Sequence, residues 1–163
     1  EFLEMYSEKY GVNTIDRIKS FIPNLLHESM NFKAVKEFLP KNKPDYVKKL
    51  EGYFGRGLMQ VTWKKNYAAF TEWCKLNVSD FKDDFVLNPE LLETPKYAVL
   101  SAFWYWKVNN LNVYADRKDF DNVCSLINRG KVLKSQDEIK LINGYDDRKK
   151  KFLLVSSYFK NFL

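Results

Sequence analysis

Residues 96–107 have the sequence KYAVLSAFWYWK. Apart from Ser101, every residue from Tyr97 to Trp106 is apolar or aromatic. A helix that is apolar nearly all round has to be enclosed by other elements. The stretch therefore predicts a central, buried helix around which the rest of the chain packs.

The segments on either side of this stretch also have helical patterns. Residues 15–26 repeat apolar side chains every three or four positions, and Asn13 or Thr14 can cap the segment. Pro23 interrupts it, so we expect a kink or a new helix start there. Further helices are predicted over 67–76, from 88 with Asn as cap, over 120–128 and over 146–162, with loops and one or two short helices in 31–52. The pattern predicts a mostly α protein with a single domain over residues 1–163.

The composition favours a folded protein with a polyanionic partner. Hydrophobic residues make up 45% of the chain, and 27 Lys and Arg against 21 Asp and Glu give a net charge of +6. Nucleic acid, an anionic membrane surface and a bacterial cell wall all fit this charge. The pairs Lys48-Lys49 and Lys64-Lys65 and the basic run 148–151 are either part of such a footprint or solvated helix faces, and we prefer the second interpretation. No apolar run reaches the length of about 18 residues that a membrane helix needs.

The cysteines give no sign of a metal site. Cys74 and Cys124 lie in apolar segments, and neither has a close Cys or His neighbour. Two buried free thiols are expected, and a disulfide between them is the alternative. No metal and no cofactor are predicted.

Glu28 is the most informative polar residue. It follows an apolar helical segment and stands between His27 and Ser29. This position alone favours a carboxylate that caps the helix or faces solvent. However, HES at 27–29 with Phe32 resembles the catalytic-acid signature of glycoside hydrolase family 19 chitinases and related phage endolysins. Further matches follow in the family's order: GRGLMQVT at 55–62, NY at 66–67, NPEL at 88–91, AFWYW at 102–106, INRG at 127–130 and DR at 147–148. The resemblance extends over about residues 10–155.

This resemblance implies a lysozyme-like helical domain with an active-site cleft. It also implies inverting hydrolysis, in which one carboxylic acid protonates the leaving oxygen and a second carboxylate activates water. Glu28 is then the general acid. Apolar neighbours would help it to hold a proton near neutral pH, and Phe32 and Phe54 are the candidates.

Glu37 is the predicted second carboxylate, because related endolysins carry a Glu nine positions after the acid. The sequence departs from theirs directly after Glu37, so Asp45 and Glu51 remain alternatives. Nine residues of unbroken helix would separate the carboxylates by about 13.5 Å, beyond the roughly 6.5–9.5 Å of inverting enzymes. The chain should therefore bend between Glu28 and Glu37.

The resemblance implies roles for several other residues. Thr62 helps to place the attacking water. The predicted substrate-binding residues are Gln60, Tyr67, Asn128, Arg56 and Arg148. For Gln60, Tyr67 and Asn128 the alternative to sugar binding is ordinary packing, and it is strongest for Tyr67. The two arginines are expected to hold the site's charge network. Arg129 replaces a usual glycine and is a candidate contact for a substrate carboxylate, while His27 is expected to support Glu28.

The preferred function is muramidase-type hydrolysis of peptidoglycan, because the chain is compact, basic and poor in cysteine. Chitin is the alternative substrate, and a non-catalytic glycan- or nucleic-acid-binding domain is the alternative of another class. Glu28 counts against the latter, because an anion binder gains nothing from a carboxylate in its cleft. The expected partner is a peptidoglycan strand, with an immunity protein if the chain is a secreted toxin. We expect a monomer that neither binds nucleic acid nor inserts stably into a membrane. It should act in the periplasm or cell wall of a target bacterium. Since no signal-peptide pattern is visible, delivery through a phage pore or a secretion system is expected.

Overall fold

A computed structural model describes residues 1–160. The α-helices are α1 Phe2–Tyr10, α2 Ile15–Glu28, α3 Pro44–Lys49, α4 Lys64–Asn77, α5 Pro95–Val108, α6 Leu111–Asp116, α7 Phe120–Arg129 and α8 Tyr145–Lys160, with 3-10 helices at Pro89–Glu93 and Gln136–Leu141. Over 1–160 the only β pairing is a pair of isolated bridges, Lys36 with Arg56 and Arg56 with Val61. The predicted mostly α fold is confirmed, while residues 161–163 of the predicted domain and last helix lie outside the described residues.

Helix α5 is the central helix that its sequence predicts. Eight of its residues are buried, and its aromatic side chains contact neighbouring helices. The ring of Phe103 lies 4.7 Å from that of Phe21 on α2, and Trp104 lies 5.0 Å from Phe70 on α4. Since α1 and α6 pack against it as well, α5 organises the core and holds the elements that carry the site.

Helix α2 runs without interruption to Glu28. Thr14 is its N-cap, with the side-chain oxygen accepting a hydrogen bond from the Arg17 amide at 3.4 Å. The prediction of a new helix start at Pro23 is wrong, because Pro23 lies within the helix and is buried. Packing of the proline ring in the core offsets the backbone hydrogen bond that it cannot make.

The cysteines are two separate buried thiols. Cys74 on α4 and Cys124 on α7 are both free, and burial raises the pKa of each thiol to about 12. The disulfide alternative is therefore excluded.

No helix within residues 1–160 is long and apolar enough to cross a membrane.

Candidate active site

Glu28 is the last residue of α2, and a buried arginine holds its carboxylate. The Glu28 side chain is 20% exposed and accepts a hydrogen bond from Nη2 of Arg148 on α8, whose own side chain is 1% exposed. Arg148 also donates from Nη1 to Oδ1 of Asn24 at 2.7 Å and from Nε to the carbonyl of Asn143 at 3.3 Å. The buried guanidinium thus holds the Glu28 carboxylate in place at the C-terminal end of α2.

A second pair joins the same two helices one residue earlier. Nδ1 of His27 lies 2.7 Å from Oδ2 of Asp147, and Lys151 also donates to this carboxylate. Lys151 and then His27 hold the pKa of Asp147 below its usual value. Gly144 has a positive φ of 66° and lies against the His27 ring, so that a Cβ there would collide with it. His27 thus joins α2 to α8 one residue before Glu28.

An open groove of about 510 Å³ lies between the 59–66 segment, α5 and the end of α7. Its walls are formed by Met59, Gln60, Val61, Thr62, Trp63, Asn66, Trp104, Tyr105, Val108, Asn109, Ile127, Asn128 and Gly130. Three predicted site residues, Gln60, Thr62 and Asn128, therefore meet in one groove. Nε2 of Gln60 donates to the Gly57 carbonyl at 3.0 Å, and the Thr62 hydroxyl donates to the Gln60 carbonyl at 2.8 Å.

Two groups connect this groove to Glu28. Tyr105 lines the groove, and its pKa is raised by burial and further by the negative charge of Glu28. Asn143 donates its backbone N–H to Oδ1 of Asn128 at 2.9 Å, while its carbonyl accepts from Arg148. Arg148, which binds Glu28, is therefore linked through Asn143 to Asn128 in the groove wall.

The predicted bend after Glu28 is present. Met30, Asn31 and Phe32 all have positive φ, between 50° and 63°, and turn the chain away from the axis of α2. The chain then reaches Glu37, which pairs with the glycine-rich segment.

Glu37 is held by two donors. Its Oε2 accepts from the Gly55 amide at 2.9 Å and its Oε1 from the Tyr46 hydroxyl at 3.2 Å. A Cβ at Gly55 would lie 2.7 Å from Oε1 of Gln60 and 3.3 Å from Cβ of Glu37. Glycine at 55 thus allows Glu37 to approach Gln60, which is a wall of the groove.

Arg56 supports the glycine-rich segment from inside. It is 6% exposed, lies 3.7 Å from the centre of the Phe54 ring and donates to Glu93 at 2.7 Å and to the Tyr67 hydroxyl at 2.9 Å. The Tyr67 hydroxyl in turn donates to the Phe54 carbonyl at 2.6 Å. Arg56 thus holds a buried network beneath the glycine-rich segment, and its low exposure leaves almost no surface for the substrate contact predicted for it.

Comparison with known proteins gives the same family as the motifs. The chain is 34% identical over 96 residues to a glycosyl hydrolase family 19 domain-containing protein of Haemophilus influenzae, across 59% of this chain and 37% of that one. It is 44% identical over 55 residues to Endochitinase 1 of Theobroma cacao, across 33% of this chain and 15% of that one. The chain is related to glycoside hydrolase family 19. It matches well under half the length of either relative, and no family model matches the sequence.

The fold of the chain is also similar to that of a solved chitinase. The crystal structure of chitinase C from Streptomyces griseus superposes with a TM-score of 0.65 and 21% identity, over 88% of this chain and 59% of that one. The expected lysozyme-like, mostly helical fold is thus confirmed.

Some residues that match family 19 positions do not face the groove. Tyr67 is completely buried, so in this structure it has no surface for a sugar, and the packing alternative describes it. Phe32 is 43% exposed, and Phe54 lies against Arg56. The partner that the structure gives the Glu28 carboxylate is the guanidinium of Arg148.

Arg129 is not available for a substrate carboxylate. Its Nη2 lies 3.0 Å from Oε2 of Glu138, and its side chain is 10% exposed. The sequence did not reveal this pair because Glu138 lies in a 3-10 helix, Gln136–Leu141, that carries no clear periodicity. An internal ion pair thus replaces the substrate contact proposed for this residue.

The structure adds residues that the motif comparison missed. Asn24 binds Arg148 from within α2, and Tyr105 forms the groove wall next to Glu28. Asn24, a polar residue one helical turn before Glu28, was the available signal, since such spacing places both on one helix face. Among residues 1–160, no three His, Cys, Asp or Glu side chains converge as metal ligands.

Proposed function

We propose that the chain is a glycoside hydrolase that cleaves β-1,4 bonds of peptidoglycan strands with inversion, with Glu28 as general acid. The observation that carries this proposal is the position of Glu28. Its side chain is 20% exposed, and its carboxylate is fixed by Arg148. Arg148 is linked through Asn143 to Asn128 in the wall of a groove that also carries Gln60 and Thr62. The family relationship supports the same chemistry.

The groove offers a glycan both polar and aromatic contacts. Amides of Gln60, Asn66 and Asn128 can bind hydroxyl and acetamido groups, and exposed Trp63 offers a ring face. A β-1,4 bond seated near Tyr105 would place its bridging oxygen towards Glu28. Arg148 keeps Asn24 and Asn143 as acceptors, so its charge stays solvated by protein groups when Glu28 carries the proton.

Glu37 is the proposed base, ahead of Asp45 and Glu51. The amide of Gly55 and the hydroxyl of Tyr46 fix the Glu37 carboxylate next to Gln60. Asp45 and Glu51 are both exposed. The Thr62 hydroxyl, in the groove wall, is suited to hold the attacking water.

Alanine at each of the three carboxylates tests the choice of base. Glu37→Ala should lose at least about a hundredfold in kcat, as expected for a missing general base, whereas Asp45→Ala and Glu51→Ala should stay active. Full activity of Glu37→Ala with a dead Glu51→Ala would assign the base to Glu51.

Peptidoglycan is proposed as substrate because the chain carries a net charge of +6 and peptidoglycan carries carboxylates that chitin lacks. Chitin is the second candidate, since the Theobroma cacao relative is an endochitinase and the structural neighbour is a chitinase. Purified peptidoglycan and chitohexaose should be digested in parallel, and the borohydride-reduced products analysed by mass spectrometry.

We expect muropeptides that end in reduced N-acetylmuramic acid, first released as the α-anomer. Reduced N-acetylglucosamine at the new ends would instead make the protein a glucosaminidase. Rapid turnover of chitohexaose without any product from peptidoglycan would contradict the peptidoglycan proposal, and no product from either would favour the non-catalytic alternative.

A further inference from the structure

A second cavity lies next to the groove and is lined by lysines. It has a volume of about 360 Å³ and is formed by Lys49, Leu50, Glu51, Trp63, Lys64 and Lys65, which we call the lysine pocket. Two chain segments meet here, the end of α3 and the start of α4. Their basic residues are separate pairs in the sequence and form one cluster only in the fold.

The lysines of this pocket are not neutralised by the protein. Within residues 1–160, no ion pair joins Lys49, Lys64 or Lys65 to a carboxylate, and Lys64 lies over the Tyr53 ring at 5.7 Å from its centre. Glu51 is the acidic residue in the pocket wall, so the lining carries an excess of two positive charges. Helix stability does not explain Lys64 and Lys65, because cations are unfavourable in the first turn of a helix.

Trp63 connects the lysine pocket to the groove. Its side chain is 41% exposed and lines both cavities. Its φ of 75° is unusual for a bulky residue, and the backbone is held there by a 2.8 Å hydrogen bond from the Trp63 amide to the Tyr53 carbonyl. The rings of Tyr46 and Trp63 pack edge to face, with their centres 6.5 Å apart. The hydroxyl of the same Tyr46 donates a hydrogen bond to Glu37. A glycan lying in the groove therefore passes directly by the lysines.

We infer that the lysine pocket binds a carboxylate carried by the glycan that occupies the groove, an inference that rests on the function proposed above. The lactyl and stem-peptide carboxylates of peptidoglycan project sideways from the sugar chain and supply this chemistry. With Arg129 paired to Glu138, the pocket provides the unpaired cations beside the groove wall. The pocket would thus favour peptidoglycan over uncharged chitin.

A binding experiment separates this inference from the catalytic proposal. The inactive Glu28→Gln protein serves as background, and its affinity for purified insoluble peptidoglycan is measured by co-sedimentation at low and high salt. One variant adds Lys49→Gln, Lys64→Gln and Lys65→Gln. A matched variant adds Lys82→Gln, Lys140→Gln and Lys150→Gln, three exposed lysines outside both cavities. Each is tested on native peptidoglycan, on peptidoglycan with amidated carboxylates and on insoluble chitin.

The lysine-pocket variant should bind native peptidoglycan about tenfold more weakly, since exposed charge pairs contribute modestly and additively. The matched variant should lose less than about twofold. On amidated peptidoglycan and on insoluble chitin the two variants should bind equally, and high salt should reduce the difference on native peptidoglycan.

Two results would overturn the inference: equal losses for both variants on native peptidoglycan, or an undiminished loss on amidated peptidoglycan. The catalytic proposal fails independently, if the wild-type chain binds as expected but releases no reducing ends. Conversely, cleavage of peptidoglycan with no pocket-specific binding loss refutes the pocket alone.

Discussion

Replacement of Arg148 by Met should destabilise the fold far more than loss of one arginine usually does. The side chain is 1% exposed and its removal leaves Glu28 and Oδ1 of Asn24 without their partner. Breaking a buried pair costs about 3–5 kcal/mol, and the 20% exposure of Glu28 places this case near the lower limit. A loss of about 3 kcal/mol corresponds to a fall in Tm of roughly 6–12 °C for a chain of this size.

Thermal and urea unfolding followed by circular dichroism would measure this loss. Arg17→Met is the matched control, because Arg17 pairs with Asp116 at 2.7 Å near the surface, where the two side chains are 24% and 45% exposed. That variant should lose about 1 kcal/mol or less. The double variant Glu28→Gln with Arg148→Met should be more stable than the sum of the single losses predicts. Equal losses for the two Arg→Met variants, or full additivity with Glu28→Gln, would refute the buried pair.

Three further changes test other individual contacts by Tm. Gly144→Ala should lower the free energy of unfolding by more than about 1 kcal/mol beyond the loss for Gly130→Ala. Both glycines have φ near 67°, but a Cβ at 144 would collide with the His27 ring, whereas nothing lies within 4 Å of a Cβ at 130. Equal losses for the two variants would exclude the collision. Asp147→Asn should lower the Tm at pH 7. Because the folded-state pKa of Asp147 is lowered, the carboxylate stabilises the fold above its unfolded pKa of about 3.9, and this stabilisation is lost as the pH falls through the lower folded value. A difference in Tm between wild type and variant that grew towards pH 3 would contradict the pairing. Tyr67→Phe should cost about 1 kcal/mol, because its hydroxyl joins Arg56 to the Phe54 carbonyl, and an unchanged Tm would contradict that bridge.

The fold was largely predictable from local sequence patterns. The apolar run at 97–106 gave α5 its central place, and the apolar period before Glu28 gave α2. Helix α6 was missed because it has six residues and buries only Leu111 and Ala115, too few for a period to be visible. The continuity of α2 through Pro23 depends on core packing, which the local rule for proline does not include.

The candidate site was predictable only as a set of motifs. Glu28 and Arg148 lie 120 residues apart, so no local pattern connects them, and their contact appears when α2 packs on α8. Pairings such as Arg129 with Glu138 depend in the same way on tertiary structure. The lysine pairs 48–49 and 64–65 are exposed, as the interpretation as solvated faces predicts. That Lys49 lines one cavity with Lys64 and Lys65 follows only from the fold.

Reducing-end release from peptidoglycan by wild-type protein and Glu28→Gln tests the central claim most directly. The assay should be run beside a melting curve, because Glu28→Gln also weakens the contact with Arg148. The amide keeps an oxygen for Arg148 but has no proton to give to the leaving sugar, so a folded Glu28→Gln protein should release ends at least about a hundredfold more slowly. A Glu28→Gln protein that cleaves peptidoglycan at the wild-type rate would contradict the assignment of Glu28 as the general acid.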